Sequence, residues 1–161
     1  MSNSSVNSLA KPLTTLVVGI GSPYGDDQAG WIIVQQLRNL HNSTHSTIRQ
    51  AAAPANVLDW LDKVERLIIC DACEGLGCIG AAHRWQWPTE DFPNNNWRGT
   101  HDLSLPVVLQ LAQKLGRLPA RVEIWGIEGA KRGVEESMSS EVSEAAAKLA
   151  MQIASELNTS S

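Results

Sequence analysis

The sequence has no long apolar run and no concentration of basic residues. Its apolar stretches fall well short of the roughly 20 residues that a membrane-spanning helix needs, so we expect no membrane segment. Lysine and arginine are scattered, and the formal net charge is -4, so we expect no nucleic-acid-binding surface. Apolar residues make up 43% of the 161 positions and charged residues 19%, which is typical of a globular protein.

Cysteine is also scarce. The three cysteines are Cys70, Cys73 and Cys78, and the first residues do not form a basic start followed by an apolar stretch. An odd number of cysteines without a secretion signal argues against a disulfide framework and predicts a cytoplasmic protein. Their close spacing is compatible with a zinc or iron–sulfur site, but no second cysteine pair or nearby histidine completes a four-ligand set. We expect Cys70 to pack in the interior.

Strands and helices are predicted to alternate along the chain. Residues 1–13 are polar and predict a flexible N-terminal tail, and residues 14–158 predict one domain. The predicted strands are Thr15–Ile20, Thr47–Ala51, Leu67–Ala72, Ala81–Trp87 and Val122–Ile127. The predicted helices are Asp27–Leu40, Ala55–Val64, Leu105–Leu115 and Ser140–Leu157. This alternation favours a three-layer α/β/α sandwich, with a mostly parallel sheet of about five strands and helices on both faces.

A glycine-rich turn follows the first predicted strand and ends in two adjacent acids. Gly19 and Gly21 resemble part of a dinucleotide-binding turn, but Asp26 and Asp27 stand where a phosphate would meet a helix N-terminus. We therefore expect the glycines to permit a tight turn. One acid suffices to cap a helix, so we assign Asp26 mainly to capping or turn formation and Asp27 to a pocket.

Two later positions offer further ligands. Asp71 ends an apolar strand, and the carboxyl ends of strands form the ligand-binding edge of an open α/β sheet. His101 precedes a predicted helix, where a histidine taken alone is more often a surface or capping residue. Together with Asp27, these residues form an oxygen and nitrogen donor set that suits a divalent transition metal.

Four motifs, in this order, resemble the nickel–iron hydrogenase maturation endopeptidases. They lie between positions 16 and 157, which is nearly the whole predicted domain. Neither G-x-S-x-G nor H-E-x-x-H occurs, which agrees with a family that uses no serine or permanent zinc machinery. The motifs are Gly19-Ile20-Gly21 with Asp26-Asp27 and Gly30; Cys70-Asp71-Ala72 with Gly75; Thr100-His101 before a leucine-rich helix; and Gly126-Ile127-Glu128.

The resemblance implies an endopeptidase that removes the C-terminal extension of a hydrogenase large-subunit precursor. Nickel already inserted into that precursor is the recognition element, and by motif its contacts are Asp27, Asp71 and His101. The enzyme is then expected to hold no tightly bound cofactor of its own. The sequence leaves open whether nickel activates the scissile peptide or only docks the substrate.

Three departures from the family pattern stand near these motifs. The segment Arg49–Pro54 replaces the usual Asp–Gly–Gly/Thr, Ser22 replaces an asparagine, and Asp102 follows the histidine. The changed segment keeps a second hypothesis open, a non-cleaving protein that binds the precursor or nickel. A nucleotide-binding domain is disfavoured, because the acid pair would repel phosphate.

Overall fold

Five strands form one sheet in the order β2-β1-β3-β5-β4. The structure is a computed structural model that describes residues 13–97, 103–130 and 137–159. The strands are β1 (Thr15–Ile20), β2 (Ser46–Ala51), β3 (Arg66–Cys73), β4 (Ala82–Trp87) and β5 (Arg121–Glu128). The helices are α1 (Ala29–Leu40), α2 (Leu105–Lys114) and α3 (Ser140–Thr159), with 3-10 helices at Gly25–Gln28 and Pro54–Trp60.

The sheet is parallel except at one edge. Strands β2, β1, β3 and β5 run parallel, and β4 pairs antiparallel with β5. The chain leaves β1 toward β2 on one side, then crosses to β3 on the other. The strand order therefore changes direction at the carboxyl ends of β1 and β3, which is where open α/β sheets bind ligands.

Alternating side chains of the strands build a core on each face of the sheet. One face carries Val17 and Ile68 against α1 and α3, and the other carries Leu16 and Leu67 against α2 and the second 3-10 helix. Residues two apart point to the same face of a strand, so short continuous apolar strands supply both cores. The predicted α/β class, with a mostly parallel sheet and helices on both faces, is confirmed.

Helix α1 differs in detail from its prediction. The segment Gly25–Gln28 is a separate 3-10 turn, so the α-helix begins at Ala29. Its most deeply buried large side chains are Ile33, Val34 and Leu37, whereas Leu40, predicted to face inward, is 43% exposed. Leu40 keeps the spacing of the buried stripe, three residues after Leu37, but it is the last residue of the helix.

Within the described ranges, no helix is both long and apolar enough to cross a membrane. Apart from Leu13, the predicted N-terminal tail lies outside the described residues.

Candidate functional site

Asp27 lies in the 3-10 turn between β1 and α1. Its backbone N–H donates to the Tyr24 carbonyl, and its own carbonyl accepts the N–H of Ser22, both at 3.1 Å. The side chain is half-buried, while Tyr24 is 64% exposed. The turn also contacts β3. Asp27 is therefore fixed by its backbone at the carboxyl end of β1, beside the strand that carries Asp71.

Gly30 explains how this turn comes so close to two strands. A Cβ atom there would collide with the backbone carbonyl of Ile20 and lie 2.6 Å from that of Cys70. Backbone carbonyls inside a sheet cannot move away, so only glycine fits. The first turn of α1 consequently rests on the carboxyl ends of both β1 and β3.

Gly19 and Gly21 serve the same close approach. A Cβ on Gly19 would collide with the Gly30 carbonyl, and one on Gly21 would collide with the Asp27 carbonyl. The left-handed backbone in this region belongs instead to Gly25, at φ 51°. The expectation that backbone conformation explains Gly19 and Gly21 is therefore wrong. Gly19 allows α1 to approach β1, and Gly21 allows the turn to close on Asp27.

Asp71 is buried near the carboxyl end of β3, with 1% of its surface exposed. The strand continues two residues beyond it, to Cys73, so Asp71 does not end the strand as predicted. Its Oδ1 accepts the N–H of Ala72 at 2.8 Å, which fixes the carboxylate relative to the backbone. Asp71, near the carboxyl end of β3, and Asp27, after β1, thus belong to adjacent parallel strands at the point where the strand order changes direction.

His101, the third predicted ligand, lies outside the described residues, as does Asp102. The described chain resumes two residues before α2, which begins at Leu105. The nickel-contact role of Asp27, Asp71 and His101 stays a prediction.

Asp26 has a different role from the predicted cap. Its carboxylate is 5% exposed and binds two distant segments. Oδ2 accepts the N–H of Ala130 and the hydroxyl of Ser139, both at 2.7 Å, and Oδ1 accepts the N–H of Ser139 at 2.6 Å. Ala130 follows β5 and Ser139 precedes α3, so Asp26 joins the turn to both elements.

Replacing Asp26 with asparagine is expected to lower the free energy of unfolding by about 3 kcal/mol, because an amide nitrogen cannot accept these bonds and a buried donor loses its charged partner. Urea denaturation of Asp26→Asn and of the exposed control Asp62→Asn measures the difference. Equal stabilities would show that these bonds do not hold the fold.

The changed segment Arg49–Pro54 borders this turn. The Ala51 carbonyl, at the end of β2, accepts the Gly21 N–H at 3.0 Å and the Trp31 indole N–H at 2.8 Å. The Arg49 guanidinium lies over the Trp60 ring, 5.0 Å from its centre. The end of β2 is therefore tied to the turn that carries Asp27 through Gly21 and Trp31.

A second group of ionisable side chains was not foreseen. Among the described residues, Cys73, His83 and Glu128 are the set whose sulfur, nitrogen and oxygen atoms all lie within 4.8 Å of one another. Cys73 and Glu128 are register partners at the ends of β3 and β5. His83 comes from β4, the antiparallel edge strand, so the sequence alone gave no reason to join it to the others.

The cysteines do not form a shared site. Cys70 and Cys73 lie on opposite faces of β3, because they are an odd number of residues apart. Cys70 packs in the core formed with α1 and α3, as predicted, and Cys78 is exposed. Burial, followed by the nearby charge of Asp71, raises the pKa of the Cys70 thiol far above its ordinary value, and burial with the charge of Glu128 does the same to the pKa of Cys73.

Sequence comparison links the chain to one family. A family profile described as hydrogenase maturation protease, HycI, matches residues 33–156. The matched span includes Asp71 and position 101, and it begins after Asp27. A comparison with curated proteins gives no match.

Solved structures of similar fold carry related names. The hydrogenase maturation protease HycI from Thermococcus kodakarensis has a TM-score of 0.73 and 21% identity, over 97% of this chain and 99% of that one. The maturating endopeptidase HybD from E. coli has a TM-score of 0.76 and 23% identity, over 92% and 94%. The endopeptidase HycI from Escherichia coli has a TM-score of 0.70 and 18% identity, over 89% and 90%. At these identities the likeness shows the fold.

Proposed function

Because the chain belongs to the hydrogenase maturation protease family, we propose that it is an endopeptidase that removes the C-terminal extension of a nickel–iron hydrogenase large-subunit precursor. The observation that carries the proposal is the family match over most of the domain. The placement of Asp27 after β1 and of Asp71 near the carboxyl end of the adjacent parallel strand β3 supports it, since this edge is where such a sheet binds its ligand.

The nickel in the precursor is the recognition element in this proposal, with Asp27, Asp71 and His101 as its contacts. Two carboxylates and an imidazole supply oxygen and nitrogen donors, which suit a divalent transition metal. The Asp71 carboxylate is held by the Ala72 N–H, so it needs little reorganisation when the substrate arrives. The half-buried Asp27 is partly exposed to solvent, so it can contact the nickel of an incoming substrate. The enzyme itself needs no tightly bound cofactor.

The decisive experiment compares one precursor in two forms, with and without nickel. The purified protein is incubated with each, and the mass of the large subunit is measured. We expect the mass to fall by that of the C-terminal extension only in the nickel-containing sample. Equal cleavage of both forms would overturn nickel recognition while leaving the protease activity in place.

The same samples test the non-cleaving hypothesis, which the changed segment Arg49–Pro54 keeps open. A size-exclusion run before mass analysis shows whether the protein and precursor form a complex. A stable complex whose precursor keeps its full mass after prolonged incubation would contradict the protease proposal and favour a binding protein.

A further inference from the structure

We infer that Cys73, His83 and Glu128 form a binding site for a zinc-class divalent ion, separate from the proposed nickel contacts. This inference does not rest on the proposed function. The three side chains come from β3, β4 and β5, and they meet at the carboxyl ends of β3 and β5. A thiolate, an imidazole and a carboxylate are the three ligand types that zinc accepts in proteins.

The spacing of the ligand atoms fits one tetrahedral ion. Zinc bonds of about 2.0–2.3 Å at tetrahedral angles place neighbouring ligand atoms about 3.4–3.6 Å apart. The Cys73 sulfur lies 3.6 Å from Glu128 Oε2, and His83 Nε2 lies 3.7 Å from the same oxygen. The sulfur and the imidazole nitrogen lie within 4.8 Å of each other, so side-chain adjustment can bring all three ligands to one ion.

Glu128 is held in place for this task. Its Oε1 accepts the backbone N–H groups of Gly75 and Leu76, and Leu76 also reaches Oε2 at 3.2 Å. These bonds fix a carboxylate that is 3% exposed and direct Oε2 toward Cys73 and His83. Hydrogen bonds of this kind orient a metal ligand before the ion arrives.

His83 Nε2 is buried and makes no hydrogen bond, because 3.7 Å to Glu128 is too long for one. A buried nitrogen without a partner is costly, and an ion would satisfy it. The ring itself is fixed by stacking on Trp85, with the ring centres 5.5 Å apart.

An ion can reach the site from solvent. A surface pocket of about 540 Å³ is lined by Glu128 and the loop after β3. The His83 side chain is 25% exposed, and Gly77 lies beside its ring, where a Cβ would be in van der Waals contact with the imidazole. Three protein ligands leave the fourth position to water, so we expect reversible binding that a chelator removes. The Cys73 thiol proton passes to solvent as the ion binds.

Cobalt titration of the full chain tests the inference. Chelator-treated protein receives Co²⁺ under reducing conditions, and the absorption spectrum is followed. We expect one equivalent to produce a thiolate-to-cobalt charge-transfer band with the strong visible bands of tetrahedral cobalt, and Zn²⁺ to abolish both. Cys73→Ser should lose the charge-transfer band, while Cys78→Ser and Asp27→Asn should keep it.

His83→Gln provides a second test, since this partly exposed residue can be changed with little risk to folding. The affinity for Co²⁺ should fall at least about tenfold, with an unchanged circular dichroism spectrum. Absence of the charge-transfer band in the parent protein would overturn the inference. So would a band that survives in Cys73→Ser, or one that is lost in Cys78→Ser.

Discussion

Replacing Asp71 with asparagine is expected to abolish cleavage of the nickel-containing precursor while the protein stays folded. Asparagine keeps the size of the side chain and can still accept the Ala72 N–H, so the local structure survives. It removes the negative charge that the proposed contact with nickel requires. Loss of a ligand should exceed the 10–100-fold effect of outer-shell changes, so we expect a decrease of more than about 100-fold in cleavage rate. The mass assay on the precursor measures it.

Three companion variants separate nickel contact from general damage. Asp27→Asn and His101→Ala should lose cleavage in the same assay, and circular dichroism should show an intact fold. Asp59→Asn, an exposed aspartate in the second 3-10 helix, is the matched control and should cleave normally. Normal cleavage by the Asp27, Asp71 and His101 variants would place the chemistry elsewhere in the chain.

The strands of this fold could be predicted because the pattern of apolar and polar residues along each strand indicates which of its faces are buried. Strand β1 has the predicted bounds, Thr15–Ile20, and all six residues are buried. The edge strand β4 was predicted from a more exposed pattern, and its residues alternate between exposed and half-buried. Its antiparallel direction was not predicted, because the residues of a strand indicate which of its faces are buried but not which strand it pairs with or in which direction.

The role of Asp26 could not be predicted because it depends on residues more than 100 positions away. An acid beside a helix start favours a local cap, which is what the sequence indicated. In the structure its oxygens face Ala130 and Ser139 instead. Asp26 is buried because Ala130, after β5, and Ser139, before α3, lie against its carboxylate.

The Cys73, His83 and Glu128 cluster was missed for a related reason. Each residue stands at a strand position without a local motif, and the three are brought together only by the strand order β3-β5-β4. Glu128 belonged to the Gly126-Ile127-Glu128 motif, yet the motif gave no partner for its side chain. Predicting the site would have required knowing that β4 pairs with β5.

Replacing Glu123 with glutamine is expected to lower the free energy of unfolding by about 3–5 kcal/mol, because it leaves a buried arginine without its counter-ion. Glu123 and Arg66 are 1% and 3% exposed. Glu123 Oε1 accepts a hydrogen bond from Arg66 Nε at 3.0 Å and forms an ion pair with Arg66 Nη2 at 2.9 Å, and Oε2 accepts a hydrogen bond from Arg84 at 2.6 Å. Urea denaturation at neutral pH measures the loss.

The pH dependence of this difference follows from the pKa of Glu123. Burial alone would raise that pKa, but the hydrogen bonds and charges of Arg84 and Arg66 lower it below the ordinary value of 4.5. A carboxyl whose pKa is lowered by folding contributes stability above its unfolded pKa and loses it as the pH falls through the folded value. The difference in free energy of unfolding between the parent protein and Glu123→Gln should therefore be largest at neutral pH and decrease in acid below about pH 4.5.

Glu156→Gln is the matched control for this prediction, since Glu156 also pairs with Arg84, at 3.0 Å, but its side chain is 32% exposed. An exposed ion pair contributes about 0–1 kcal/mol, so this variant should unfold almost like the parent.

Glu123 lies three residues before Gly126, the register partner of Asp71, toward the amino end of the sheet. Glu123→Gln should therefore retain cleavage activity per folded molecule. A loss of cleavage without a loss of stability would show that the buried ion pair acts on the site and not on the fold.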